Sequence, residues 1–153
     1  MENKRQKYRV LSPAQTKKTG RLLAKEILRA GTRGAARVLA LSGRLGAGKT
    51  NFVQGFARGL GVKETVASPT FAIIKKYALP PVSGFKNFYH IDCYRLVSGR
   101  ELAVLGAGKI FGDPANIVAI EWPQIAAGIL PPAVIAVNFE IVGERIRDIE
   151  FKF

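Results

Sequence analysis

Gly43-Arg44-Leu45-Gly46-Ala47-Gly48-Lys49-Thr50, preceded by Val38-Leu39-Ala40-Leu41-Ser42 and followed by the run from Asn51 to Leu60, decides the fold. The spacing G-x-x-x-x-G-K-T gives each fixed position a physical task. Gly43, Gly46 and Gly48 carry no Cβ, so their backbone is free to adopt positive φ and press N–H groups against phosphate oxygens. Lys49 has the reach to meet β- and γ-phosphates, and the Thr50 hydroxyl is placed to ligate Mg²⁺. The apolar run before the loop reads as a buried strand. After it, Phe52, Val53, Phe56, Ala57 and Leu60 recur on one helical face. Strand, glycine loop and helix in that order put the loop at a helix N-terminus, where unpaired N–H groups and the macrodipole favour an anion. A chance glycine-rich turn would match the glycines but not both flanks.

Working outward, the 153 residues suit one domain, and 48% apolar content suits a packed core. No apolar run reaches the ~18 residues of a membrane span, and the basic first nine residues lack the apolar stretch of a signal peptide. Cys93 is the single cysteine, so neither a disulfide framework nor a cysteine metal site is expected. The expected location is the cytoplasm. Of the net charge of +13, residues 1–65 hold 15 Lys/Arg against 3 acids, and the remainder 9 against 8. A basic half fits a nucleic acid or an acidic partner, and equally fits a solvated helix face.

Residues 1–9 read as a flexible basic lead-in. Ser12-Pro13-Ala14-Gln15 is a helix start, with a Ser cap, Pro in the first turn and Gln three residues on. The helix is expected to run to Ala30 and to bury Leu22, Leu23, Ala24 and Ile27. Ser68 to Tyr77 and Phe85 to Tyr94 read as an antiparallel strand pair around the turn residues Leu79 to Gly84. Arg100 to Gly106 reads as a short helix, Ala107 to Asn116 as a loop, and Ile117 to Ile120 as a buried strand ending at Glu121. Pro123 to Ile129 reads as a helical turn. Ala133 to Val142 and Arg145 to Phe153 make a last hairpin across Gly143-Glu144. The expected fold class is α/β, a P-loop NTPase-like mixed β-sheet flanked by helices in one domain over 1–153.

A phosphate loop needs a carboxylate on its metal side. Glu121 ends an apolar strand, and in open α/β sheets ligands bind beyond such strand ends. It can hold Mg²⁺ or orient the attacking water. In His90-Ile91-Asp92-Cys93-Tyr94-Arg95, alternation puts His90, Asp92 and Tyr94 on one face. Asp92 is a candidate for the metal's water shell or the nucleophilic water. His90 is the only histidine, and a lone histidine is more often a structural group than a catalyst. Arg95 has two candidate partners, Glu101 and a phosphate. Ser68-Pro69-Thr70 sits where nucleotide-sensing segments lie, with Thr70 as the candidate sensor, although the same residues make ordinary turn chemistry.

Taken together, G-x-LGAGKT at Gly43 to Thr50, SPTF at Ser68 to Phe71, H-x-D-x-YRL at His90 to Leu96, Glu101 to Gly106, IEWP at Ile120 to Pro123 and Leu130-Pro131 resemble the TsaE (YjeE) family over nearly the whole chain. That family comprises bacterial ATPases required for threonylcarbamoyladenosine synthesis on tRNA. The resemblance implies ATP and Mg²⁺ as cofactors, with Thr50 and Glu121 as metal ligands. It implies a phosphate cradle of Gly43, Leu45, Gly46, Ala47, Gly48, Lys49, Thr50 and Asn51, with Thr70 and Asp92 at the nucleotide. Lys49, Asp92 and Glu121 are then the catalytic set, and Trp122 a functional aromatic. The implied partners are TsaB- and TsaD-like proteins, which carry out the threonylcarbamoyl transfer, with tRNA contact indirect and no membrane involved. The chain departs from the family pattern at Arg44, commonly Asp, and Asn51, commonly Thr.

Two other functions share parts of this pattern. A small-molecule or nucleoside kinase shares the phosphate loop, but it needs an arginine-bearing lid that the arginine-poor second half does not suggest. A nucleotide-regulated nucleic-acid-binding module needs a basic strand interleaved with aromatics, and only Lys75-Lys76-Tyr77 approaches one.

Overall fold

The computed structural model describes residues 4–153. Seven strands form one mixed sheet. They are β1 (Arg5–Val10), β2 (Arg37–Ser42), β3 (Ile74–Ala78), β4 (Asn87–Asp92), β5 (Asn116–Glu121), β6 (Val134–Ile141) and β7 (Arg147–Lys152). The spatial order is β1-β7-β6-β2-β5-β4-β3. The central four strands, β6, β2, β5 and β4, are mutually parallel, and antiparallel pairs close both edges. The expected mixed α/β sheet is present.

Alternation along the central strands sorts side chains onto two cores. Leu39 and Leu41 of β2, with Ile117 and Ala119 of β5, face helices α1 (Pro13–Ala30) and α2 (Lys49–Leu60). Val38, Ala40, Val118 and Ile120 face the shorter helices α3 (Gly99–Val104) and α4 (Ala107–Gly112). Burial on both faces is why these strands are apolar runs rather than alternating ones.

Helices α1 and α2 pack without the usual side-chain spacer. A Cβ on Gly20 would fall on the Phe52 carbonyl oxygen, and one on Gly55 on the Lys17 carbonyl oxygen. A Cβ on Gly59 would sit 2.7 Å from both Ala24 Cβ and the Arg21 carbonyl oxygen. Three glycines thus let the two backbones touch and lock α2, the helix that follows the phosphate loop, against α1. The expected α1 start holds as well: Gln15 N–H donates to Ser12 Oγ at 3.2 Å, and Leu11 N–H to Gln15 Oε1 at 2.8 Å.

Four local expectations differ from the structure. Residues 5–9 are not lead-in but belong to β1, an edge strand paired with β7; residues 1–3 lie outside the described residues. Its side chains are charged because one face is solvent, and Lys7 and Arg9 grip the buried Asp148 of β7 at 3.5 and 2.9 Å. Leu22 is 52% exposed, since α1 turns Leu23, Ala24 and Ile27 inward instead. The strand expected from Ser68 begins only at Ile74, because Ile73 N–H turns back to the Pro69 carbonyl and the Ser68 and Thr70 hydroxyls engage Asp92. Ala107 to Gly112 is helical rather than loop, burying Ala107 and Phe111 against β2's flank.

Candidate active site

The loop from Gly43 to Gly48 joins the C-terminal end of β2 to α2. Gly46 and Gly48 take φ of +83° and +100°. These are left-handed conformations that a side chain disfavours. Gly43 does not, contrary to expectation. Its missing Cβ is required by packing instead, since a Cβ there would lie 2.9 Å from Phe139 Cβ. Gly48 caps α2 with no side-chain acceptor for the first-turn N–H groups. Lys49 is 8% exposed and its Nζ donates to the Gly43 carbonyl at 2.7 Å. The lysine is thus folded back over the loop it is expected to serve.

Opposite the loop, register brings two acids side by side. Asp92 ends β4 and Glu121 ends β5, and they are direct partners in the parallel pair; Glu121 also pairs with Leu41 on β2. Both are 5% exposed. Asp92 Oδ2 accepts from Thr70 Oγ1 at 3.1 Å and Ser68 Oγ at 3.4 Å, and Oδ1 accepts from Tyr94 N–H at 3.0 Å. Glu121 Oε2 lies 2.8 Å from His90 Nε2. A buried carboxylate held by several donors, as Asp92 is, keeps a single orientation. The segment carrying Thr70 ends at Ile73, whose φ of +65° is strained for a β-branched residue.

Trp122 follows Glu121 in the left-handed region, φ +57°. That conformation swings its ring back over the loop, 5.0 Å from Lys49 Nζ and 5.3 Å from the Tyr94 ring. A cation over an indole face is attracted by the ring quadrupole. Burial, with help from the Asp92 charge, pushes the adjacent Cys93 thiol up to about 12, which leaves it inert as a nucleophile.

A cleft of about 550 Å³ collects Leu45, Gly46, Gly48, Lys49, Thr50 and Asn51 on one wall, with Thr70, Asp92, Glu121 and Trp122 on the other. Two of the expected site residues stand apart from it. Gly43 lies behind the loop, and the Ala47 side chain is in the core with its N–H bonded to the Arg44 carbonyl at 3.0 Å. Arg95 is not paired with Glu101, whose Oε2 caps α3 through Val97 N–H and Ser98 N–H; the Arg95 guanidinium lies 4.2 Å over the Phe71 ring. A second cleft, about 460 Å³, opens on the other side of the loop. Gly46, Gly48 and Asn51 line both, and Ser12, Pro13, Thr16, Glu144, Arg145 and Arg147 complete the second. Arg147 Nη2 donates to the Gly46 carbonyl at 3.3 Å. Nothing local in the sequence marks Ser12 or Arg147 as neighbours of the loop, since β1, α1 and β7 bring them there only in the fold.

The family description "Threonylcarbamoyl adenosine biosynthesis protein TsaE" matches residues 10–149. The chain belongs to the TsaE family. The TsaE protein of Bacillus subtilis is 36% identical over 148 residues, 97% of this chain and 85% of that protein. The Haemophilus influenzae protein is 37% identical over 131 residues, 86% and 78% of the two chains. That of Borreliella burgdorferi is 43% identical over 108 residues, 70% and 75%. All three bear the name tRNA threonylcarbamoyladenosine biosynthesis protein TsaE. Among solved structures, Bacillus subtilis YdiB superposes with a TM-score of 0.76 at 31% identity, over 99% of this chain and 87% of that one. The two share a mixed α/β fold of the P-loop NTPase type. No helix among the described residues is long and apolar enough to cross a membrane.

Proposed function

We propose that this TsaE-family chain is a Mg²⁺-dependent ATPase of tRNA threonylcarbamoyladenosine synthesis, working with TsaB- and TsaD-like proteins and not itself transferring the threonylcarbamoyl group. The observation that carries this reading is the convergence of Lys49 and Thr50 with Asp92 and Glu121 in one cleft. The shared lining of Gly46, Gly48 and Asn51 supports a nucleotide laid across the loop. A nucleotide held there would have Asp92 on one side of the loop and Ser12 and Arg147 on the other.

The donor set fits Mg²⁺. Among the described residues no three His, Cys, Asp or Glu side chains form a cage. Mg²⁺ at nucleotide sites takes one or two carboxylates, with phosphates and water completing its shell. Thr50 and Glu121 are the residues that would hold it, and bound there it would neutralise phosphate charge. The chain's own groups do the remaining work. Lys49 exchanges its bond to the Gly43 carbonyl for phosphate oxygens. Asp92, tied down by Thr70, Ser68 and Tyr94 N–H, accepts from and orients the attacking water. Trp122 and Tyr94 cover the reacting end from bulk solvent.

Partner dependence follows from what the cleft lacks and what surrounds it. No arginine lines it among the described residues, so charge stabilisation at the γ-phosphate has room for a group supplied in trans. Its lining includes exposed large side chains, with Leu45 93% and Tyr94 63% exposed. The test is ATP turnover by the chain alone and with TsaB- and TsaD-like proteins, at low and moderate salt. Slow turnover alone and a marked rise on adding them is the expected result. Fast hydrolysis unchanged by them would overturn partner dependence, and phosphate appearing on a nucleoside or small-molecule acceptor would replace the ATPase by a kinase.

A further inference from the structure

His90 belongs to the site but lines neither cleft. It is fully buried on β4, its ring stacked against Phe88 with centroids 6.5 Å apart and planes 12° apart. In the parallel ladder it pairs with Ala119, two residues before Glu121, so ring and carboxylate share one face of the sheet. Nε2 lies 2.8 Å from Glu121 Oε2, while Nδ1 is buried with no hydrogen-bond partner. Those two facts choose the tautomer. A proton on Nδ1 would strand a buried N–H and set the Nε2 lone pair against a carboxylate oxygen. A proton on Nε2 instead makes a donor to Glu121 and leaves only a lone pair unpaired, the smaller cost.

We propose that His90 is a positioning residue for Glu121: an Nε2–H donor that ties up Oε2 and leaves Oε1 as the oxygen presented to the cleft. The proposal rests on the reading of Glu121 as the Mg²⁺ carboxylate. A glutamate at a strand end has three rotatable bonds, and with no anchor either oxygen is free to face the loop. The imidazole removes that choice from behind, out of contact with nucleotide. Its own ring is fixed by the Phe88 stack and by the β4–β5 register. Hydrogen-bond partners behind a metal ligand set its orientation, and losing one typically costs about 10–100-fold in metal affinity or activity.

The experiment reads metal binding rather than turnover. Mn²⁺ affinity is measured by electron paramagnetic resonance on the complex with a non-hydrolysable ATP analogue, alongside analogue affinity without metal. His90→Phe keeps the ring and its stacking but removes the donor, and should weaken Mn²⁺ roughly 10–100-fold with little change in metal-free analogue binding. His90→Gln, whose amide N–H₂ reaches a similar place, should recover most of the loss. Glu121→Ala separates the two ideas. If it leaves Mn²⁺ affinity unchanged, the assignment of Glu121 as ligand fails. If it weakens Mn²⁺ while His90→Phe does not, the positioning role of His90 fails. Because the chain has one histidine, ¹⁵N-histidine labelling of the wild-type protein reports the ring directly and needs no variant to fold. A proton on Nε2 is the expected result, and a ring protonated on Nδ1 alone would overturn the proposal.

Discussion

The two walls of the cleft are built in different ways. The loop wall comes from consecutive residues, Gly43 to Asn51, whose conformation is set by glycines at +83° and +100° and by the helix that starts at Lys49. The acid wall comes from three separated segments: Thr70 before β3, Asp92 at the end of β4 and Glu121 at the end of β5. It exists only because β4 and β5 pair in register and the Ser68 to Ile73 segment folds back across them. On the proposed reading, phosphate binding is therefore a local property of this chain, whereas the placing of the two acids, Asp92 and Glu121, is a property of the sheet. A change in the loop wall should strike binding and rate together. A change in the acid wall should strike rate and spare metal-free binding.

The largest break should come from Lys49→Ala. It removes the one cation lining the cleft among the described residues, and losing a fixed charge-stabilising donor costs roughly 10²–10³ in kcat. Nucleotide titration alongside partner-supported turnover should show both falling, and wild-type turnover would refute the loop's role. Asp92→Asn should be milder. The amide keeps an acceptor for Tyr94 N–H and a group able to meet Thr70, but loses the charge. Turnover should drop about 10–100-fold with metal-free nucleotide affinity within about twofold. Equal losses in binding and rate would show that the two walls are not separable.

Gly55→Ala tests the scaffold behind the loop wall. The new methyl would meet the Lys17 carbonyl, and overpacking of this kind costs about 1–3 kcal/mol. Denaturant midpoints should fall, while kcat per folded, partner-bound molecule should stay near wild type if the acid wall sets the rate. The smallest effect should lie at the far edge, away from both walls. The Arg9 guanidinium, hydrogen-bonded to Asp148, holds that carboxyl below its usual range. A folded-state pKa below the unfolded one gives stability that is present above about pH 4 and is lost as pH falls through the lower folded value. Wild type should therefore lose more thermal midpoint between pH 6 and pH 3 than Asp148→Asn. Equal losses would show that the β1–β7 pair carries no such linkage.

Legibility followed the range of the interactions. The α2 face of Phe52, Val53, Phe56, Ala57 and Leu60 is buried as its periodicity required, and the Ser12 cap opens α1 as its residues required. Edge strand β1 was not legible, because a strand with one solvated face and cross-strand partners on β7 carries no apolar pattern of its own. Nor was α4 legible, since its short, glycine-rich segment gains its order from burying Ala107 and Phe111. The Ser68 to Ile73 turn was hidden behind β-branched residues, and what overrides their strand preference is hydroxyl bonding to an acid more than twenty residues away.

By itself the sequence determined the phosphate loop, the strand and helix around it, the candidates Thr70, Asp92 and Glu121, and the family resemblance. These depend on near-neighbour spacing, glycine sterics and apolar periodicity, which a linear string displays. Only the tertiary structure decided that Gly43 is required for contact with Phe139 rather than for positive φ. It also decided that Arg95 stacks on Phe71 instead of meeting Glu101, that Ser12 and Arg147 share a cleft with the loop, and that His90 stands behind Glu121. Each of those outcomes turns on strand register and sheet order, and register places residues far apart in sequence within a few ångströms without leaving a local mark on any of them.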